Sequence, residues 1–543
     1  MKMRFGVRSK VSTMTAFALG GTLALVGDLS IDTLMSDSVA SSAAFAQQEG
    51  GEGRGGRGGE GRGGRGGEGR GGEGRGGRGG EGRGGRGGRG GMGGFGGMQD
   101  IRELLEPDFS RRDIPLFVEQ LQLDDGQSPI VEALIFDYED SFGEGSGAAQ
   151  GELMDMGRQM MQSFMSGGGA GGGGGGGGMQ SSMREAFREV REELDEMEAN
   201  GEVMDEEARR AFFRERMQEA AQEQMDVARE NGAMDEARGI MSEMLGILEQ
   251  WLSTRTRLHD QLVSDVKVQL TDDQLVAWPA FDRFLTREKT LPRGRLSGEN
   301  LNLFMVLDDA GLSEEAFEQV EKHFDDYEIR LHDALMARNN YLMSSATQMY
   351  KAMRDGDADA ARDILERQVR YREAVRNVND EYRVIFAGAI EDENERQAID
   401  SAILADAYQR IYRQTSAERS FDAAMALEDL SDEQLLAVND LQVAYMVELA
   451  PRNLQLINLL RKSEAIEQVQ RGERMVSMMN GDLSRGMPWG GERGDEENKY
   501  RESMDRRNEF DQSYVERLKA LLTPEQQEAL PQSRRSGGWG GWG

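Results

Sequence analysis

The pentapeptide LTDDQ at residues 270–274 recurs in altered form as LDDGQ at 123–127, LSEEA at 312–316, LSDEQ at 430–434 and LTPEQ at 522–526. Each copy carries the letters of a helix start. In the first, Thr271 reads as an N-cap whose hydroxyl accepts from the amide of Gln274. Gln274, at the third helical position, reaches back to the Thr271 amide, which completes a capping box. Leu270 before the cap and Leu275 after it are placed for a hydrophobic staple. Ser431 with Gln434, and Thr523 with Gln526, repeat the arrangement. Ser313 keeps the cap, but Ala316 cannot return the bond. Such a cap is worth about 1 kcal/mol.

The recurrence runs past the cap. Counting from Leu123, Leu270, Leu312, Leu430 and Leu522, position +8 is Val131, Trp278, Val320, Val438 and Leu530. Position +15 is Tyr138, Tyr327 and Tyr445 in three of the copies, and Asp137-Tyr138-Glu139 matches Asp326-Tyr327-Glu328. Offsets of 4, 8, 11 and 15 advance along one helix face. A cap does not call for a tyrosine four turns later, so the repeated unit is a helical module with a fixed inner face.

The rest of the chain reads the same way. Met183, Phe187, Val190, Leu194 and Met197 share one helical face, and Asn200-Gly201 and Asn231-Gly232 supply left-handed stops. Sustained period-two alternation with hairpin turns is missing. The expected fold is all-α: repeated helical hairpin modules in an elongated bundle or cradle, with long disordered Gly-rich segments.

The expected organisation begins with a signal peptide over 1–46. Lys2, Arg4, Arg8 and Lys10 precede an apolar run, and Ala44-Phe45-Ala46 offers a cleavage site. Cleavage and retention as an N-terminal anchor are both open readings. No later run has the ~18 apolar residues of a spanning helix. The expected location is periplasmic or extracellular. A disordered Gly/Arg/Glu repeat over 47–98 follows, with too few apolar residues to offset ordering entropy. Next come an N-terminal helical unit (99–165), a poly-Gly linker (166–180) and a main helical domain (181–489). A Gly-rich break (490–495), a C-terminal helix (496–532) and a Gly/Trp tail (533–543) close the chain. Trp489, Trp539 and Trp542 lie in Gly-rich sequence, either as partner contacts or as unselected ends.

Charge bounds the partners. Residues 1–98 carry 14 Lys/Arg against 9 Asp/Glu, whereas the whole chain has a formal net charge of −33, so the body is strongly acidic. Glutamates interrupt the RGG-like repeat and Phe95 is its one aromatic, which disfavours nucleic acid. Cysteine is absent, which excludes disulfides, zinc-thiolate sites and a cysteine nucleophile.

Metal chemistry has three candidates. Met154, Met156, Met160, Met161 and Met165 are soft ligands suited to Cu(I). Yet Leu153, Met156, Met160 and Phe164 form an ordinary apolar face, so packing or adaptable binding is preferred. Glu328 and His332 are four apart, spacing that suits a surface pair better than a metal. Asp355, Asp357, Asp359, Asp363 and Glu366 fall at calcium-loop positions, but Ala360 stands where the loop demands glycine. A Gly-Asp turn followed by a helix cap explains the same letters. No cofactor and no catalytic constellation are expected.

Leu270-Thr271-x-x-Gln274 and Leu522-Thr523-x-x-Gln526 resemble the LTxxQ motif of the Spy/CpxP-type periplasmic proteins. The resemblance implies a thin all-α cradle that holds unfolded clients without ATP, with dimerisation and links to envelope stress. It covers short windows around each motif, and this chain is longer and more acidic than that pattern. The expected function is a non-enzymatic secreted or periplasmic protein, chaperone-like or scaffolding, that binds unfolded or envelope proteins through apolar Met-rich helix faces and forms homo-oligomers. The rival readings are an envelope matrix protein tethered by its low-complexity arms and a Cu(I)-handling protein.

Overall fold

The computed structural model describes residues 103–166, 178–201, 204–230, 232–479 and 494–531. The expected signal segment, the Gly/Arg/Glu repeat, the poly-Gly run at 167–177, the break around 490 and the Gly/Trp tail lie outside these residues. Among the described residues there are sixteen α-helices and no strand. None is long and apolar enough to cross a membrane.

The helices fall into three consecutive sets with one plan. A short leading helix comes first: α1 (Ile114–Leu121), α7 (Leu303–Asp309) or α13 (Ser416–Met425). A motif follows and opens the first long helix: α2 (Gln127–Ser166), α8 (Glu314–Glu321) continued by α9 (Phe324–Asp355), or α14 (Asp432–Met479). The second long helix returns antiparallel: α5 (Ala233–Gln269), α10 (Ala358–Ala389) or α15 (Asp495–Leu521). It ends at another helix start, and a trailing helix leaves: α6 (Asp272–Thr290), α11 (Glu393–Ala407) or α16 (Pro524–Glu528). The short α12 (Gln409–Tyr412) joins the second set to the third. α3 (Gly178–Ala199) and α4 (Glu206–Glu230) are inserted at the tip of the first hairpin.

Each set buries its own apolar core, and the periodicity explains why. Positions +8, +15 and +19 of the first long helix are Val131, Tyr138 and Phe142; Val320, Tyr327 and Leu331; and Val438, Tyr445 and Leu449, all buried. The second long helix mirrors them, as an antiparallel partner must. Counting back from Leu270, Ile390 and Leu522, positions −4 and −8 are Val266 and Leu262; Phe386 and Tyr382; and Leu518 and Tyr514, again all buried. The cores contain these residues together with the leading-helix side chains Phe117 and Leu121, Leu303 and Leu307, or Phe421 and Ala424. At one point in the first hairpin the helices approach too closely for a side chain: a Cβ on Gly145 would stand 2.9 Å from the Trp251 ring.

Residues 99–165 were expected to form a separate unit, but Val131, Tyr138 and Phe142 share a core with Trp251, Val266 and Phe281. α2 therefore belongs with α5 and α6 in one core, across the stretch of sequence that holds the poly-Gly run. Likewise the C-terminal helix packs into the third core rather than standing apart.

The sets are joined through buried polar contacts. Glu299, fully buried in the segment between α6 and α7, accepts from Arg338 Nη1 (2.7 Å) and Arg372 Nη1 (3.1 Å) and from the amides of Arg295 and Leu296. Arg338 also donates to the Thr290 carbonyl at 2.6 Å. Burial pulls the Arg338 guanidinium downward from its usual range, the Glu299 carboxylate opposes that, and Arg372 adds to it. The second half of α14 enters the central core through Leu456, Ile457 and Leu460, so one helix serves two cores.

Candidate functional site

The antiparallel hairpins bring the repeated motifs together in pairs. The start of each first long helix lies beside the end of the second, so 123–127 meets 270–274 and 430–434 meets 522–526. The capping boxes form as the spacing requires. The Thr271 amide donates to Gln274 Oε1 at 2.8 Å, Ser431 to Gln434 at 3.1 Å, Thr523 to Gln526 at 2.9 Å and Asp124 to Gln127 at 3.1 Å. Ser313 accepts from the Ala316 amide with no return bond.

The glutamines then do something a capping box does not need. Gln127 Nε2 donates to Gln274 Oε1 at 2.9 Å and to the Gln269 carbonyl at 2.6 Å. Gln274 Nε2 donates to Gln127 Oε1 at 2.9 Å and to the Gln122 carbonyl at 3.1 Å. In the third hairpin Gln434 Nε2 donates to the Leu521 carbonyl (2.9 Å) and to Gln526 Oε1 (3.1 Å), while Gln526 Nε2 donates to the Asp429 carbonyl (3.1 Å). In every case the carbonyl belongs to the residue just before the partner motif's leucine. Each glutamine thus closes its own cap with its oxygen and caps the opposite chain with its nitrogen, using both ends of the amide. The arrangement is a two-sided latch across the open end of the hairpin.

The central hairpin has a degraded version, and sequence reading missed half of it. Opposite Ser313 lies Ile390-Glu391-Asp392, in which Asp392 caps α11 by accepting from the Glu395 amide at 2.9 Å. Ser313 Oγ donates to Glu395 at 3.0 Å, and Gln319 accepts from the Glu391 amide at 3.0 Å. This sixth helix start has one extra residue between its apolar anchor and its cap, which hides it from a fixed-spacing search.

The +15 tyrosines hold the leading segments. Tyr138 Oη accepts from the Asp108 amide at 3.3 Å, and Arg255 grips the Asp108 carboxylate. Tyr327 Oη donates to Asn379 at 2.9 Å and accepts from the Leu303 amide at 3.4 Å. Tyr445 Oη donates to Asp511 at 2.8 Å and bonds Thr415, the cap of α13, at 2.7 Å. Burial drives all three phenols well above the usual tyrosine range, so they remain protonated donors. Burial also raises the Asp511 carboxyl, against the pull of Tyr445 and Arg507.

The remaining candidates fall elsewhere. Met154 is exposed, Met156 and Met160 are half-buried, and the side chains of Met161 and Met165 lie outside the described residues. Glu328 does not pair with His332: it takes Arg283 and Arg287 at 3.1 Å each. Asp355 ends α9, Gly356 turns left-handed at φ 69°, and Asp357 caps α10, so the calcium-like letters are a turn and a cap. Among the described residues no group of His, Asp and Glu is placed to hold a metal. The staple partners Leu275 and Leu435 are 38% and 40% exposed, whereas Leu270 is buried in its hairpin core. Val268 and Val276 beside the first latch and Leu436 beside the third are exposed too. Comparison with protein-family models, with curated proteins and with solved structures gives no match.

Proposed function

We propose that this chain is a non-enzymatic secreted or periplasmic holding protein, chaperone-like in the manner that the LTxxQ resemblance implies. The observation that carries the reading is the apolar surface beside the latches. Val268, Leu275 and Val276 at one, and Leu435 and Leu436 at another, stand open to solvent on helices whose inner faces are already satisfied. Clusters of exposed aliphatic residues mark surfaces that meet other apolar chains. The rigid latch fixes them in place, and the acidic body keeps the loaded complex soluble.

The test is suppression of aggregation of reduced α-lactalbumin by the full chain, compared with Val276→Asp and Leu436→Asp. Suppression by the parent and its weakening in both variants are expected. No suppression at stoichiometric excess, or full suppression by both variants, overturns the reading.

A further inference from the structure

Pro531, the last described residue, stands exposed beside the third latch, and Leu530 before it is anchored in the third core. Gln434 and Gln526 hydrogen-bond there at 3.1 Å. Leu436 lies two residues beyond Gln434 and is 65% exposed, with the exposed Leu435 beside it. Asp432 is three and four residues before these leucines, on the same side of the first turn of α14. Glu428, Asp429, Asp432 and Glu433 are all exposed, and the stretch 428–433 holds no Lys or Arg. The surface is a pair of leucines on an acidic base.

The sequence after Pro531 carries the complementary groups in matching order. Arg534 and Arg535 come first, and Trp539 and Trp542 follow among glycines. We propose that residues 532–543 are the occupant of this surface: the arginines pair with the acids at the start of α14, and the tryptophans cover Leu435 and Leu436. Trp539 is eight residues past Pro531, a reach of up to about 27 Å. Each indole can bury about 150–250 Å², and the glycines let the backbone lie close against the leucines. Attachment beside the site supplies an effective concentration in the millimolar range, which favours this segment over a free partner of equal chemistry. The first latch exposes Leu275 and Val276 in the same way, but the corresponding stretch 268–273 has only Asp272 and Asp273, with Lys267 next to it. Charge and tether both select the third. A client then has to displace the tail at the third latch and meets an open surface at the first. That consequence rests on the holding function proposed above, whereas the docking does not.

The emission of the tail is the fluorescence of the full chain minus that of Trp539→Phe/Trp542→Phe. It should lie to the blue of free indole in water and resist quenching by acrylamide. Leu435→Asp/Leu436→Asp should move it to the free-indole position, and Leu275→Asp/Val276→Asp should leave it in place, with circular dichroism unchanged in both. Emission at the free-indole position in the parent, or emission that ignores the third-latch pair or follows the first-latch pair, overturns the proposal. Trp539→Gly/Trp542→Gly should suppress aggregation of reduced α-lactalbumin at a lower ratio of chain to client than the parent, and equal suppression overturns the gating. Spectra as expected with no suppression by either protein support the docking and overturn the holding function.

Discussion

At the scale of single residues, the glutamine of each motif is the decisive choice. A capping box accepts glutamate or glutamine alike, so nothing in the local letters selects between them. The latch does select: glutamate has no nitrogen to give to the opposite carbonyl, and it would set a charge against Gln127 Oε1. Gln274→Glu should therefore keep the cap and lose the cross-hairpin bonds, at a cost of about 1–3 kcal/mol. Urea unfolding followed by circular dichroism measures it, and a change within a few tenths of a kcal/mol would refute the latch. Half of the site was thus legible: the cap could be read locally, but its partner, 147 residues away, could not. Asp511 gives a pH signature. Its carboxyl is raised in the folded state, so the stability it contributes is present at low pH and is lost as pH rises through the folded value. Asp511→Asn should accordingly help most near neutrality and progressively less toward acid, provided that Tyr445 keeps its acceptor. A pH-independent difference in unfolding free energy between the two proteins would count against this.

At the scale of elements, helix class followed from periodicity alone, and the duplicated module followed from the +8 and +15 positions. What did not follow was the pairing of modules, since antiparallel return depends on where the chain turns and not on any motif. Ile390 and Asp392 show the other limit: one added residue moved the cap out of register. Glu328 shows a third, because its arginines come from α6 and not from its own helix. Among the described side chains, the inserted α3–α4 pair buries a small cluster, Val190 and Met217 with Leu194, Phe212 and Phe213 alongside. Hydrogen exchange should be fastest there and slowest around Val266, Phe386 and Leu518, since local stability follows buried apolar contact. Equal protection in both places would contradict that ordering.

At the scale of the whole molecule, three cores in series make the chain a short repeat protein, in which neighbours are coupled by interfaces rather than by one shared interior. Trp251 and Trp278 lie in the first core, while Leu518 lies in the third. Leu518→Ala should cost about 2–5 kcal/mol and lower the melting midpoint seen by circular dichroism. Near-ultraviolet signals from the two tryptophans should shift much less. Equal shifts in both would mean that α14, which enters two cores, welds the hairpins into one cooperative unit. Glu299→Ala addresses the other joint. Leaving Arg338 and Arg372 without their buried counter-charge should cost about 3–5 kcal/mol, measurable in the same denaturant titration.

The placement of the latches also has a mechanical meaning. The chain enters and leaves each hairpin at its base, which is where Gln127 meets Gln274 and Gln434 meets Gln526. Tension applied to the two ends of the protein is met first by the leading and trailing segments, held by contacts such as Asp108 with Arg255 and Tyr138, and it reaches the amide clasps once these give way. Each failure frees a loop of defined length, 147 residues in one case and 92 in the other. At about 3.4 Å per stretched residue, these are steps of roughly 500 Å and 310 Å. A pulled molecule should lengthen in discrete jumps rather than fray, with the clasps acting as its fuses.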